Sequence, residues 1–259
     1  MKIASWNVNS IKVRLPQVTD WLRHEQPDVV GLQETKAPDD QFPASALEDT
    51  GFHSAYTGQR TYNGVALLSR TPLHDVVTEP PGYPDAQRRV LAATAGTVRI
   101  INLYVPNGQE VGSETVEYKL RWLEAVRRWI AEELERHPRL VVLGDFNIAP
   151  DDRDVADPEA WAGKVHCSEP ERQALGELMK LGLHDTFRRF EQPEKTFSWW
   201  DYRMNCFKRN LGLRIDLILA SEPLAQRCEA SIVDSEPRGW ERPSDHAPVV
   251  AEFALEEAA

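Results

Sequence analysis

The sequence predicts an α/β fold, because short apolar strand segments alternate with segments of helical hydrophobic spacing. Two strand–helix–strand units carry this pattern, and polar residues follow the strands of both units. In α/β enzymes the functional groups usually lie at the carboxyl ends of the strands. No low-complexity linker divides the chain, so we expect a single domain over residues 1–259 with its site along one sheet edge.

The first unit lies near the amino terminus. A predicted strand over Lys2–Val8 leads to a helix that we expect to start near Pro16, since proline suits a first helical turn. A second apolar strand, Asp28–Leu32, then ends just before Glu34. The unit therefore places Asn7 near the end of one strand and a carboxylate at the end of the next.

The second unit repeats this plan in the middle of the chain. A strand over Val98–Val105 precedes a long predicted helix, Glu114–Arg136, whose apolar residues recur at helical spacing. The uninterrupted apolar segment Leu140–Leu143 then predicts a strand buried on both faces. Tyr104 lies near the end of the first strand and Asp145 follows the second.

The remaining elements complete a mixed sheet. Ser168 and Glu171 have the spacing of a capping box, which predicts a helix over Pro170–Lys180. Four further segments are predicted as strands, namely Gly64–Ser69, Arg89–Ala93, Arg214–Ala220 and Ala247–Phe253.

Composition narrows the class of protein. The formal net charge of −11 argues against non-specific binding to nucleic acid, but a local basic face remains compatible with a nucleic-acid enzyme. No segment has the ~20 apolar residues that a membrane span needs, and we see no secretory signal. The three cysteines are widely spaced and form no CxxC pair, which makes a zinc site less favoured: Cys167, Cys206 and Cys228. They fit reduced thiols, so we expect a cytoplasmic protein.

Asp145 and Asn147 give the strongest chemical signal. They stand two residues apart after a buried strand, so both side chains can point the same way. Desolvating them is costly unless a metal ion or a phosphate-bound water provides a partner. The alternative is that they only open a turn. Glu34 adds the anchoring carboxylate that a hard ion such as Mg²⁺ prefers.

Proton transfer and charge stabilisation can be assigned to nearby polar residues. Asp145 can accept a proton from water, and His246 can donate to a phosphate oxygen. Either Asp216 or Asp245 can fix the tautomer of His246 and raise its pKa. Tyr104 offers a hydroxyl donor, or a phenolate near a metal ion. This combination predicts hydrolysis of a phosphodiester.

The chain resembles the exonuclease III branch of the exonuclease–endonuclease–phosphatase superfamily, the abasic-site endonucleases of base-excision repair. The matching segments span nearly the whole chain: SWNVNS (5–10), GLQETK (31–36), GVALLS (64–69), NLYVPNG (102–108), GDFN (144–147), FSWWDYR (197–203), GLRIDLILAS (212–221) and SDHAPV (244–249).

The resemblance implies a four-layer α/β sandwich, in which two mixed sheets pack face to face with helices outside. It implies hydrolysis of DNA 5′ to abasic sites, with 3′→5′ exonuclease and 3′-phosphatase activity. The implied catalytic residues are Tyr104, Asp145, Asn147, Asp216 and His246. A site for Mg²⁺, with Mn²⁺ as a substitute, would be lined by Asn7, Glu34, Asp145, Asn147, Asp245 and His246.

The resemblance also implies how DNA is held. Phe197, Trp199 and Leu213 would form an apolar pocket for a flipped-out abasic sugar. The expected substrate is double-stranded DNA with abasic sites or blocked 3′ ends, bound by a monomer without an obligate protein partner. In a prokaryote the enzyme would associate with the nucleoid. The implied DNA contacts are Lys12, Asn107, Trp200, Arg203, Met204, Phe207 and Lys208.

Two other functions stay open from the sequence. The same fold supports phosphatases and phosphodiesterases that act on inositol phosphates, lipids or undamaged DNA. It also supports binding proteins that have lost catalytic groups, although Glu34, Asp145, Asn147, Asp216 and His246 are all retained in this chain.

Overall fold

Two β-sheets form the centre of the protein in the computed structural model, which describes residues 1–255. The strands of the first sheet are β1 (Lys2–Asn7), β2 (Val29–Gln33), β3 (His53–Thr57), β4 (Val65–Ser69), β11 (Cys228–Val233) and β12 (Val249–Phe253). The strands of the second sheet are β5 (Leu73–Val77), β6 (Val90–Ala95), β7 (Val98–Tyr104), β8 (Leu140–Asp145), β9 (Leu183–Asp185) and β10 (Asp216–Ser221).

Helices cover the outer faces of both sheets. The helices of the chain are α1 (Ile11–Glu25), α2 (Ala44–Glu48), α3 (Glu114–Arg136), α4 (Pro158–Trp161), α5 (Glu169–Met179) and α6 (Glu222–Ala225), and α1, α3 and α5 are the long ones on the outer faces. Apolar side chains of α1 pack on the first sheet, and those of α3 and α5 pack on the second. A third apolar cluster fills the space between the sheets. The result is the four-layer sandwich expected from the resemblance.

The two sheets repeat one plan. Their strand orders are β11-β12-β1-β2-β4-β3 and β5-β6-β7-β8-β10-β9. In the first sheet β1 and β2 are parallel and joined by α1, and in the second β7 and β8 are parallel and joined by α3. Across the interface β1 faces β8 and β2 faces β7. The expectation of a site along one sheet edge was therefore wrong, since the two units belong to different sheets that face each other.

The start of α1 differs from the sequence-based expectation. The helix begins at Ile11, and Pro16 lies inside it. The backbone N–H groups of Ser10 and Ile11 bond to the carbonyls of Glu34 and Thr35, so the helix start is fixed by the segment that follows β2. These contacts are tertiary, and the proline signal could not reveal them.

The other long helices agree with the sequence pattern. The bounds of α3 are those predicted, and α5 carries the expected capping box between Ser168 and Glu171. Short edge strands such as β5 and β9 were not predicted, because they lack a long apolar run. Among the described residues, no helix is both long enough and apolar enough to cross a lipid bilayer.

Candidate active site

The carboxyl ends of the four central strands meet between the two sheets. Asn7 ends β1 and Asp145 ends β8, and these strands face each other. Glu34 follows β2 and lies near Tyr104, the last residue of β7. The repeated plan therefore brings the polar residue of each unit against the carboxylate of the other.

Asn7 links the carboxylates of the two sheets. Its Nδ2 donates to Glu34 Oε1 at 2.8 Å and to Asp145 Oδ2 at 2.9 Å. Its Oδ1 accepts the backbone N–H of Asn9 at 3.0 Å. In this geometry the Asn7 amide nitrogen is a donor that holds two negative groups together.

Asp145 is buried at the centre of the site. Its two oxygens accept hydrogen bonds from the Asn147 backbone N–H at 2.9 Å and from Asn7 at 2.9 Å. Burial raises the pKa of Asp145 to about 7, and the nearby carboxylates of Asp216 and Glu34 act in the same direction, although His246 opposes them. A carboxyl group with this pKa can exchange a proton near neutral pH.

His246 lies between two carboxylates. Its Nδ1 is 2.9 Å from Asp216 Oδ2, and its Nε2 is 3.7 Å from Asp145 Oδ2. Burial lowers the pKa of the imidazole, but the charges of Asp216 and Asp145 outweigh this effect and raise it to about 10. Of the two carboxylates considered from sequence, Asp216 is the one that orients His246.

Asp216 is itself fixed by Ser198. The Ser198 hydroxyl donates to Asp216 Oδ2 at 2.7 Å, and it accepts the backbone N–H groups of Ile215 and Asp216 at 3.0 Å each. The serine therefore ties the start of β10 to the carboxylate that orients His246. Sequence analysis did not single out Ser198.

Tyr104 and Glu34 form the other side of the site. Burial raises the pKa of Tyr104 well above its usual range, and the carboxylates of Glu34 and Asp145 add to this. In the metal-free site the tyrosine is thus held as a neutral hydroxyl. Lys36 Nζ lies 2.9 Å from Glu34 Oε2.

The donor set fits a divalent ion in part. Ligand atoms of Glu34, Asp145 and His246 lie within 4.8 Å of one another. The two carboxylates supply the hard oxygen ligands that Mg²⁺ prefers. Asp245 is outside this group, because its oxygens accept from Asn9 Nδ2 at 2.9 Å and from Trp199 Nε1 at 3.0 Å.

Asn147 and Asn107 lie beside Asp145. Asn147 has a left-handed backbone with φ of 51°, and its Nδ2 donates to the Val105 carbonyl at 2.9 Å. Asn107 Nδ2 donates to Asn147 Oδ1 at 3.2 Å. Asn107 is exposed, so the pair runs from the buried carboxylate to the surface.

The predicted pocket residues are mostly packed inside the protein. Phe197 is 1% exposed and Leu213 is fully buried. Trp199 is half-buried, and its ring lies 6.5 Å from Trp161 and 6.3 Å from His166, measured between ring centroids. Only Trp199 of the three predicted residues therefore presents surface next to the site.

The predicted DNA-contact segment is also divided by burial. Trp200 is only 3% exposed, and its Nε1 donates to Asn210 Oδ1, so its assignment as a DNA contact is corrected to a packing role. Phe207 is half-buried against Trp200 at 5.1 Å between ring centroids. The remaining predicted contacts are on the surface: Lys12, Asn107, Arg203, Met204 and Lys208.

Three buried polar residues near the site were missed from sequence. Lys119 Nζ donates to the Asn147 carbonyl at 2.7 Å, and His166 Nδ1 bonds to the same oxygen at 2.7 Å. Glu171 pairs with Lys119 at 2.5 Å. Burial lowers the pKa of His166 to about 4, so its ring is neutral. Lys119 shares the apolar stripe of α3 with Trp122, which was the available signal.

The fold and the site define an α/β enzyme with a carboxylate-rich centre between two facing sheets. The chain matches the model of the Endonuclease/Exonuclease/phosphatase family over residues 4–246, and it belongs to this family.

Three similar proteins illustrate the match. Exodeoxyribonuclease III of Haemophilus influenzae is 36% identical over 98% of this chain and 100% of its own length. A solved structure of the 3′ phosphatase NExo from Neisseria, bound to product DNA hairpin, is 49% identical with a TM-score of 0.97, covering 98% of this chain and all of that one. An AP endonuclease from Archaeoglobus fulgidus is 36% identical with a TM-score of 0.95 at the same coverage.

Proposed function

We propose that the protein is a metal-dependent DNA-repair phosphoesterase. It cuts the DNA backbone 5′ to abasic sites and also removes 3′-terminal nucleotides and 3′-phosphates. The observation that carries this proposal is the array of Asp145, His246 and Asp216 opposite Glu34. This array holds a proton acceptor, a cationic donor and a metal ligand around one small space.

One chemical step accounts for all three activities. A water oxygen attacks the phosphorus atom, and the bond between phosphorus and the 3′ oxygen breaks. The upstream strand then ends in a 3′-hydroxyl. The released phosphate carries an abasic sugar, a nucleotide or nothing further. The substrates differ only in what lies on the far side of the phosphate.

The side chains have distinct roles in this step. Asp145 takes a proton from the attacking water, for which its raised pKa is suited. His246, oriented by Asp216, donates to a phosphate oxygen and stabilises the charge that develops on it. Tyr104 provides a neutral hydroxyl donor on the opposite side. His246 as base is the alternative assignment.

Glu34 and Asp145 are the residues that would hold the ion, for which Mg²⁺ is proposed and Mn²⁺ is a substitute. The bound ion would supply a positive charge that stabilises the phosphate during hydrolysis. Asn7 keeps both carboxylates in place through its two donated hydrogen bonds.

A specific observation gives weight to the 3′-phosphatase activity. Phe197 and Leu213, expected to line a pocket for an abasic sugar, are buried, and the rings of Trp199, Trp161 and His166 lie against one another. A 3′-phosphate needs no such pocket, because no sugar lies on the far side of it. A similar protein of known structure, NExo from Neisseria, is a 3′ phosphatase. The relation to an exodeoxyribonuclease III and an AP endonuclease supports the other two activities.

The test compares three oligonucleotide duplexes that carry an internal abasic site, a recessed intact 3′ end or a 3′-phosphate. Each is incubated with purified protein and Mg²⁺, and kcat/KM is measured beside a soluble inositol phosphate. We expect turnover of DNA and loss of turnover in Asp145→Asn. Asp234→Asn is the control, because this carboxylate binds Trp21 away from the site. Turnover of the soluble ester alone, or of nothing, would refute the proposal.

Several further properties belong to the same proposal. The enzyme would act as a monomer on DNA, without an obligate protein partner, in the cytoplasm near the nucleoid. Light scattering with and without duplex DNA measures the oligomeric state directly. A dimer in both samples would contradict this part.

A further inference from the structure

A buried lysine lies directly behind the two asparagines of the site. Lys119 is on α3 and has no exposed surface. Its Nζ donates to Asn147 O at 2.7 Å, to Asn107 O at 3.2 Å and to Glu171 Oε1 at 2.5 Å. An ammonium group has three protons to donate, so these three acceptors account for all of them.

Glu171 connects this lysine to a second helix. It lies at the start of α5 and is also fully buried. Its Oε1 accepts the His166 backbone N–H at 3.2 Å, and its Oε2 accepts the Ser168 hydroxyl at 2.5 Å. The ion pair therefore has little freedom to move, and α3 and α5 fix the ammonium between them.

The two carbonyls that accept from Lys119 belong to Asn107 and Asn147, whose side chains also contact each other. Asn107 Nδ2 donates to Asn147 Oδ1 at 3.2 Å. The loop after β7 and the segment after β8 are thus joined twice, once by their amide side chains and once through the ammonium. The backbone of Asn147 is left-handed, with φ of 51°, a conformation that asparagine adopts more readily than most residues, and the two links hold it in place.

We propose that Lys119 is a positioning residue for phosphoester hydrolysis, acting through the backbones of Asn147 and Asn107. It sets the direction of both amides and the distance from Asn147 to Asp145, whose oxygen accepts the Asn147 N–H at 2.9 Å. Lys119 is buried behind the site and does not touch substrate. This inference rests on the proposed function.

A second buried ion pair on the same helix provides a matched control. Arg99 Nε lies 2.6 Å from Glu133 Oε2, and both side chains are 3% exposed or less. Glu133 lies near the end of α3, and Arg99 is at the start of β7, away from the strand ends that form the site. Removing this pair perturbs a buried charge on α3 without touching the asparagines.

The experiment uses K119M/E171Q and R99M/E133Q in the full chain with Mg²⁺. Each double variant removes both charges, so neither leaves an unpaired buried ion. We expect similar losses of Tm, but a fall in kcat of about 30-fold or more in K119M/E171Q alone, with KM changed less than threefold. In an Asn147→Ala background, K119M/E171Q should lower kcat by clearly less than in the wild-type background, because one of the two amides that Lys119 positions is absent.

Each outcome decides one question. Wild-type protein that turns over none of the DNA substrates refutes the proposed function. If the wild type is active and the kcat of K119M/E171Q is within threefold of it, the inference is wrong. The inference is also wrong if R99M/E133Q loses as much kcat, or if the effects of K119M/E171Q and Asn147→Ala on kcat are fully additive. If K119M/E171Q does not fold, K119Q/E171Q serves instead, since the amide introduced at position 119 is shorter than lysine and has only two protons to donate; unchanged kcat there also overturns the inference.

Discussion

Replacing Asp216 by asparagine tests whether the carboxylate makes His246 an effective donor. The amide oxygen introduced by Asp216→Asn can still accept a hydrogen bond from Nδ1 of His246, but the negative charge is gone. The pKa of His246 is raised to about 10 from an ordinary 6.5, and Asp216 is the main group that raises it. This difference corresponds to roughly 5 kcal/mol in total, shared with Asp145 and opposed by burial.

Losing the larger share of that stabilisation, roughly 2–4 kcal/mol, moves the pKa of His246 down towards the neutral range, so kcat falls with the fraction of imidazole that has lost its proton. The sign of the pH effect follows from the same pKa. Wild-type His246 stays protonated up to about pH 10, whereas His246 in Asp216→Asn loses its proton at lower pH. Activity of the variant should therefore fall as the pH rises from 6 to 9.

Two measurements check this reasoning. Steady-state kinetics on a 3′-phosphorylated duplex from pH 6 to 9.5 gives kcat, and NMR titration of the imidazole signals gives the His246 pKa in metal-free protein. Ser198→Ala is the comparison, since it removes one neutral hydrogen bond at 2.7 Å and keeps the charge, so a loss of about fivefold is expected. An unchanged His246 pKa in Asp216→Asn, with kcat within threefold of wild type, would refute the role given to Asp216.

Three further predictions concern stability, each measured by urea unfolding. The raised pKa values of Asp145, about 7, and His246, about 10, mean that the folded state holds more protons than the unfolded state. Without metal, the free energy of unfolding should therefore fall by on the order of 2–4 kcal/mol as pH rises from 4 to 7, because Asp145 loses its proton. It should fall further towards pH 10, where His246 loses its proton. Asp145→Asn should lack the fall between pH 4 and 7. Asn102→Leu should lower the free energy of unfolding by about 2–4 kcal/mol, because Asn102 donates to Leu32 O and Ala66 O and accepts from Gln33 across the sheets. An unchanged urea midpoint would contradict this. Gly144→Ala should lower the free energy of unfolding by more than about 3 kcal/mol, because the new Cβ would lie 1.9 Å from Leu103 O at a φ of 145°. Gly176→Ala, where the new Cβ has nothing within 4 Å, should raise it by about 0.5–1 kcal/mol.

The sequence predicted the central elements well because each has a strong local signal. The strand β8 starts with a continuous apolar run, β7 is mostly apolar, and α3 has a regular stripe that includes Trp122 and Val126. The position of Asp145 at a strand end followed from the same pattern. What the pattern could not contain was the partner of each strand, because the choice between one sheet and two depends on contacts far apart in sequence.

Burial explains the errors in the site. Trp200 was assigned to DNA as a large apolar residue in a segment rich in basic ones, whereas the resemblance implied that Phe197 lines the sugar pocket. In the structure they pack together with Ala247 in one apolar cluster, which supports the bend before His246. Local sequence cannot separate an aromatic residue that packs beneath a site from one that lines it. Lys119 was missed for the opposite reason, since a lysine is normally expected in solvent.

The pairing of two similar units explains why the site requires two facing sheets. In a single sheet, Glu34 and Asp145 would follow strands separated along the hydrogen-bonding direction, about 4.8 Å for each step. Here they come from opposite sheets, and one amide, Asn7, donates to both within 2.9 Å. Burial raises the pKa of Asp145 most, and the charges of Asp216 and Glu34 raise it further, so the metal-free site carries unfavourable charge repulsion. An ion held by these carboxylates would relieve that repulsion, and its affinity must then be linked to the stability of the contact between the sheets.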